Sequence, residues 1–135
     1  MSDETQQIIN NSGEGKCSAV PVEIAKEFNW GAFLLNWIWG LGNKTYITLL
    51  IFAASILSLI PFIGFLIPLG CSIWFGIKGN EWAWQNKKWD SVEHFTSVQK
   101  TWAKIGVILI IAGFVIGIIF GILAVFLGIM VGISK

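Results

Sequence analysis

The chain has no arginine; all nine basic residues are lysine, set against eight acids. A planar guanidinium fork for gripping phosphate or carboxylate is therefore missing. A net charge of +1 supplies no basic field, so nucleic acid is not an expected partner. Histidine occurs once, at His94. With Asp90 and Glu93 it makes a weak candidate for a metal site, against the simpler reading of a solvated helix start. The two cysteines, Cys17 in a polar stretch and Cys71 in an apolar run, suggest neither a disulfide nor a thiolate centre. No Gly-rich phosphate loop, GxSxG, CxxC or HExxH motif occurs. The expectation is a protein that is not an enzyme, with no catalytic residues, no cofactor and no metal.

Charge of either sign is scarce. Only 13% of the 135 residues are charged, 55% are hydrophobic, and the mean hydropathy is +0.71. A soluble domain of this length could not hide so much apolar surface, so an all-α integral membrane protein is expected. The opening "MSDETQQIINNSGEGK" is polar and acidic, unlike a signal peptide. Residues 1–20 are expected to be a disordered cytoplasmic tail, and 21–135 a single membrane domain.

Three charge-free intervals organise that domain. The first, 28–43, is too short to span and holds Trp30, Trp37 and Trp39 with Asn29, Asn36 and Asn43. Together with "VPVEIAKEF" before it, it is expected to form interfacial helices over 21–43. The second, 45–77, is broken by Pro61, Gly64 and Pro68 at "IPFIGFLIP". It is expected to be a short transmembrane hairpin of helices 44–60 and 62–78, the second continuing to about 89. The third, 105–134, lacks a proline or polar pair to mark a turn. One long transmembrane helix over 104–134 is favoured over two short ones.

Glycine is abundant in that last interval. Gly113, Gly117 and Gly121 recur every fourth residue, with Gly128 close to the same stripe and Gly106, Ala124 and Gly132 extending it. Such GxxxG spacing lets another backbone approach where lipid provides no hydrophobic drive. Tryptophan is abundant too. Trp30, Trp37, Trp39, Trp74, Trp82, Trp89 and Trp102 are expected as anchors in the headgroup region.

The stretch "GIKGNEWAWQNKKWDSVEHF", 76–95, mixes tryptophans with charges where the hairpin leaves the bilayer. Asp90 or Ser91 looks like a helix cap, opening a second interfacial helix over 91–103 with Phe95, Val98 and Trp102 as its apolar stripe. Lys44 and Glu81, at the two hairpin ends, are expected to pair, with Asn43 and Asn80 capping exposed backbone nearby. The rival arrangement pairs Glu81 with Lys78 or Gln85 on its own helix. Lysines crowd one side of this layout, which places the N-terminus and 78–104 in the cytoplasm of a multi-pass inner-membrane protein.

At "FNWGAFLLNWIWGLGNKTY", "GIKGNEWAWQNKKWDSVEHF" and "VQKTW" the chain resembles a family of small, uncharacterised bacterial membrane proteins, a domain of unknown function. The resemblance covers roughly residues 21–105 and implies no catalytic residues. A ribonuclease role finds no support, for want of a basic groove, an acid–base pair and a base-stacking platform.

The favoured function is association: with the lipid bilayer, with a second copy as a homo-oligomer, or with another membrane protein. The alternative is a subunit of a small channel or transporter with Thr48, Ser55 and Ser58 facing a pore. Against it, the apolar intervals hold no ionisable residue at mid-depth, and Ser and Thr hydroxyls often bond their own helix carbonyls. A membrane enzyme comes third.

Overall fold

The computed structural model describes residues 10–61 and 64–133. Residues 1–9 of the expected tail and 62–63 of the hairpin tip lie outside them. The fold is all-helical, and no strand forms among the described residues.

The Pro21 carbonyl accepts from the Ile24 and Ala25 amides and opens α1, Val22–Ala25. Asn29 Oδ1 accepts the Ala32 amide at 2.8 Å and caps α2, Trp30–Gly42. Midway, Asn36 sits at φ 42°, ψ −107° and breaks α2 into two arms. Few side chains adopt that backbone; asparagine does so here with its Nδ2 bonded to the Phe33 carbonyl. A 3-10 turn, Tyr46–Leu49, leads into α3, Leu50–Leu57. Helix α4 spans Leu66–Asn86 and tolerates Pro68 because it falls in the first turn, where its missing amide has no helical partner.

Helix α5 spans Val92–Ile133, 42 residues without interruption. The interfacial helix expected over 91–103 and the span expected over 104–134 are therefore one rod. Neither proline nor a turn-forming pair separates them, and Lys104 alone does not end a helix. Ser91 supplies the cap, its Oγ accepting the His94 amide at 3.0 Å.

Contacts across the helices order the molecule into levels. Farthest from the hairpin tip, residues 10–20 pack against the end of α4 and the turn after it. Ser12 is buried, the Trp89 amide donates to Ser12 Oγ at 2.8 Å, and the Gly13 amide donates to the Trp84 carbonyl at 2.9 Å. The expected disordered tail is thus corrected for this part. Its amides and hydroxyls find partners on the α4–α5 turn, and low hydrophobicity alone missed them. One level down, α1, α2, α4 and α5 converge on Asn80 and Gln99. Below that, the Asn36 break meets α4 at Ser72, whose Oγ lies 2.9 Å from Asn36 Oδ1, and Leu34 and Leu35 meet α5 at Gly106. Past Gly106 every described residue of α5 is exposed, to Ile133.

The hairpin is shorter than its sequence suggested. Its first arm is helical only over Tyr46–Leu57, about 20 Å given the rise of its 3-10 and α turns. Lys44 lies outside it, in a left-handed turn at φ 56°. Residues 66–77 of the second arm run about 18 Å below Lys78. A full crossing needs about 30 Å of helix. Among the described residues, α5 is the one helix long and apolar enough to cross a membrane.

Candidate functional site

The centre of the helical head is a closed chain of amides. Asn29 Nδ2 donates to Asn80 Oδ1 at 2.6 Å and to Gln99 Oε1 at 3.0 Å. Trp39 Nε1 donates to the same Gln99 oxygen at 2.8 Å. Gln99 Nε2 donates to Asn43 Oδ1 at 2.9 Å, and Asn43 Nδ2 returns to the Trp39 carbonyl at 2.9 Å. Asn80 Nδ2 reaches the Ile24 and Glu27 carbonyls, tying α1 in. All five side chains are buried, and no buried side-chain polar atom among the described residues lacks a partner. Uncharged amides fit this position well. They fill each other's hydrogen-bonding capacity without the desolvation penalty of a buried ion.

Close packing surrounds the network. A Cβ on Gly40 would run into the Thr48 side chain and come within 2.7 Å of the Thr45 carbonyl. Trp102 lies across Gly31 and Gly42, one glycine from each arm of α2. The break at Asn36 thereby lets a single tryptophan side chain cover both arms.

The tryptophans divide into two sets. Trp30, Trp37 and Trp74 are exposed, as an anchor must be. Trp82 and Trp102 are half-buried, Trp82 in edge contact with Trp74 at 5.1 Å. Trp39 and Trp89 are buried at 0% and 1% exposure, so their expected placement as anchors is corrected. Trp84, not among the expected anchors, is buried with them. Each buried indole N–H has an internal acceptor: Gln99 for Trp39, the Ala19 carbonyl for Trp84 and the Ala83 carbonyl for Trp89. Trp74 and Trp82 lie on α4, but α4 ends at Asn86 and the next turn folds Trp89 back against Phe95 at 4.9 Å.

Among the described residues the glycine stripe is bare. Gly113, Gly117, Gly121 and Gly128 have no neighbouring element within reach of a Cβ. Gly106 differs, because a Cβ there would meet Leu34 Cβ at 2.9 Å. The hairpin accordingly does not cover the stripe.

Glu81 pairs with Lys78, Nζ to Oε2 at 2.7 Å, one turn away on α4. Lys44 forms no ion pair among the described residues, so the expected Lys44–Glu81 pair is replaced by the local one. The left-handed turn takes Lys44 out of the first arm, and the i,i+3 neighbour claims the carboxylate. Asp90 approaches His94 Nδ1 at 3.0 Å. Glu93, exposed in the first turn, is held below the usual carboxylate range by its own backbone N–H and by the Ser91 hydroxyl. Among the described residues no group of three potential ligands could hold a metal ion. Cys17 and Cys71 are free thiols. The hydroxyls once considered for a pore turn back on their own chain: Thr48 to the Thr45 carbonyl, Ser55 to Ile51 and Ser58 to Ser55.

Gln99, Asn29 and Asn80 carry the head's central interaction, and the sequence showed only part of it. Asn29, Asn36 and Asn43 stand seven residues apart in an apolar stretch, an uncommon cost unless something satisfies them. Gln99 lies in a polar run that resembles any solvated helix.

No protein family, no curated protein and no solved structure matches this chain.

Proposed function

We propose that this is a non-enzymatic membrane protein acting through association with lipid and with other membrane helices. A single helix, α5, anchors it, and a compact head rests on one membrane face. The observation that carries this reading is α5 beyond Gly106. Residues 107–133 rise about 40 Å, are charge-free, and are exposed along their whole length. A row of aliphatic side chains that long is stable in hydrocarbon and costly in water.

The α3–α4 hairpin is proposed to enter one leaflet without crossing. Near its tip Ile56, Ile60 and Phe65 are exposed and Leu59 is 82% exposed, yet each arm is about two thirds of a crossing long. The Asn36 break of α2 dips less far beside it. Lysines at the head end of α4 and α5 favour a cytoplasmic head with the N-terminus on the same side. This is one full crossing plus a re-entrant hairpin. The inner membrane and the glycine stripe as a self-association face remain part of the proposal.

The test is extraction. The full chain should stay with the membrane pellet in alkaline carbonate. Replacing Ile118 and Ile119 with lysine should release it, since each charge at mid-depth costs about 2.5–3.5 kcal/mol. Release of the unaltered chain would overturn the reading.

A further inference from the structure

Two cavities meet where α5 leaves the head. The first, about 300 Å³, has Asn29, Asn80 and Gln99 as its floor, Phe28 and Phe95 in its walls, and Glu27 and Lys100 at its edge. The second, about 510 Å³, is a groove lined by Lys104, Val107 and Ile108. Trp30 and Ala103 belong to both, so the two form one continuous depression. Trp30 is 56% exposed and stands at the junction, held at its edge by Phe28 at 4.9 Å and Phe33 at 5.9 Å. Ala103 opposite it is small enough to leave the neck open.

We infer that this depression binds one glycerophospholipid with a zwitterionic, primary-amine headgroup. The inference rests on the membrane reading above and names the lipid's chemical class. Three features select it. Every buried polar atom of the amide floor already has an internal partner, so a small polar solute would gain little there. Recognition falls to the edge, where Lys100 and Lys104 lie one turn apart on the same face of α5. Neither lysine, nor Glu27, forms an ion pair among the described residues.

The third feature is order along the groove. Glu27 lies level with Gln99, since Asn80 bonds the Glu27 carbonyl and Asn29 bridges Asn80 to Gln99. Passing down α5 come Lys100, then Lys104, then Val107 and Ile108. That sequence of acid, two bases and hydrocarbon matches an amine, a phosphodiester held between the two lysines, and an acyl chain. Lysine holds a phosphate as a compact charge, so the lack of arginine is no obstacle. Trp30 would flank the glycerol region, the depth an indole favours.

The experiment is native mass spectrometry of the full chain released from vesicles of phosphatidylethanolamine, phosphatidylglycerol and phosphatidylcholine in equal parts. The unaltered protein is expected to retain one phosphatidylethanolamine. Lys100→Gln with Lys104→Gln should lower occupancy about tenfold, the effect of losing roughly 1.4 kcal/mol of charge-assisted contact. Glu27→Gln should erase the preference over phosphatidylcholine, whose quaternary amine offers no N–H, while phospholipid binding persists. Ala103→Leu should block the neck without changing charge. Carbonate extraction of each variant separates the two readings. A chain that leaves the membrane refutes the anchor, and this inference with it. A chain that stays but retains no lipid, prefers phosphatidylglycerol, or retains lipid equally in all variants refutes the lipid site alone.

Discussion

Trp39 and Gln99, sixty residues apart, are joined by an indole N–H bond of 2.8 Å at the centre of the head. The same Gln99 oxygen takes a second bond from Asn29, so one side chain of α5 locks two points of α2. Gln99→Leu should therefore cost more than a single hydrogen bond. It leaves the Trp39 N–H and two asparagines short of partners, each worth about 1–3 kcal/mol when buried. Thermal unfolding in detergent should show a clear loss. Asn29→Ala combined with Gln99→Leu should lose less than the sum, because both act on one network. Strictly additive losses would contradict the closed chain of amides.

The two kinds of glycine on α5 should behave oppositely. Gly106→Leu drives a side chain into Leu34 and should destabilise the folded head by about 1–3 kcal/mol. Gly117→Leu meets nothing among the described residues and should leave that unfolding unchanged. If the stripe packs against a second copy, Gly117→Leu should reduce crosslinked dimer, with Ile118→Leu as the neutral control. Equal effects of Gly106→Leu and Gly117→Leu on head stability would contradict the packing described.

Charge reversal distinguishes Lys78 from Lys44 as the partner of Glu81. Reversing Lys78 and Glu81 together should recover stability lost in either single reversal. The recovery should be small, about 0.2–0.5 kcal/mol, for an exposed pair one turn apart. Reversing Lys44 and Glu81 together should recover nothing. Recovery there would mean the hairpin ends lie closer than this structure places them.

Residues 10–20 should behave as part of the head. Deleting residues 1–18 removes Ser12 and Gly13 from the α4–α5 turn, uncovering Trp89 and Trp84. Tryptophan emission should shift to the red and unfolding should come earlier. An unchanged spectrum would show that the segment contributes nothing to the core.

Much of this was legible in the residues. The long apolar helix follows from thirty charge-free residues without proline, and the hairpin bend from Pro61 and Gly64. Three things were hidden, each for a physical reason. The continuity of α5 was obscured by its change in character at Lys104, since polarity changes along a helix without breaking it. The buried role of Trp39, Trp84 and Trp89 was obscured because an indole suits a wet interface and a dry core equally, provided its N–H has an acceptor. The amide network was obscured because Gln99 gains its meaning only from Asn29, Asn43 and Trp39, which no local spacing connects to it.

The most direct test is cysteine accessibility across sealed proteoliposomes, using a membrane-impermeant maleimide. Cys17 is exposed on the head and already present. Met130→Cys, in a Cys17→Ser, Cys71→Ser background, reports the far end of α5. Gly64→Cys in the same background reports the hairpin tip. Cys17 and Met130→Cys are expected to label from opposite sides, and Gly64→Cys from neither. Labelling of Cys17 and Met130→Cys from the same side would contradict a crossing by α5. Labelling of Gly64→Cys from the side opposite Cys17 would contradict a hairpin confined to one leaflet.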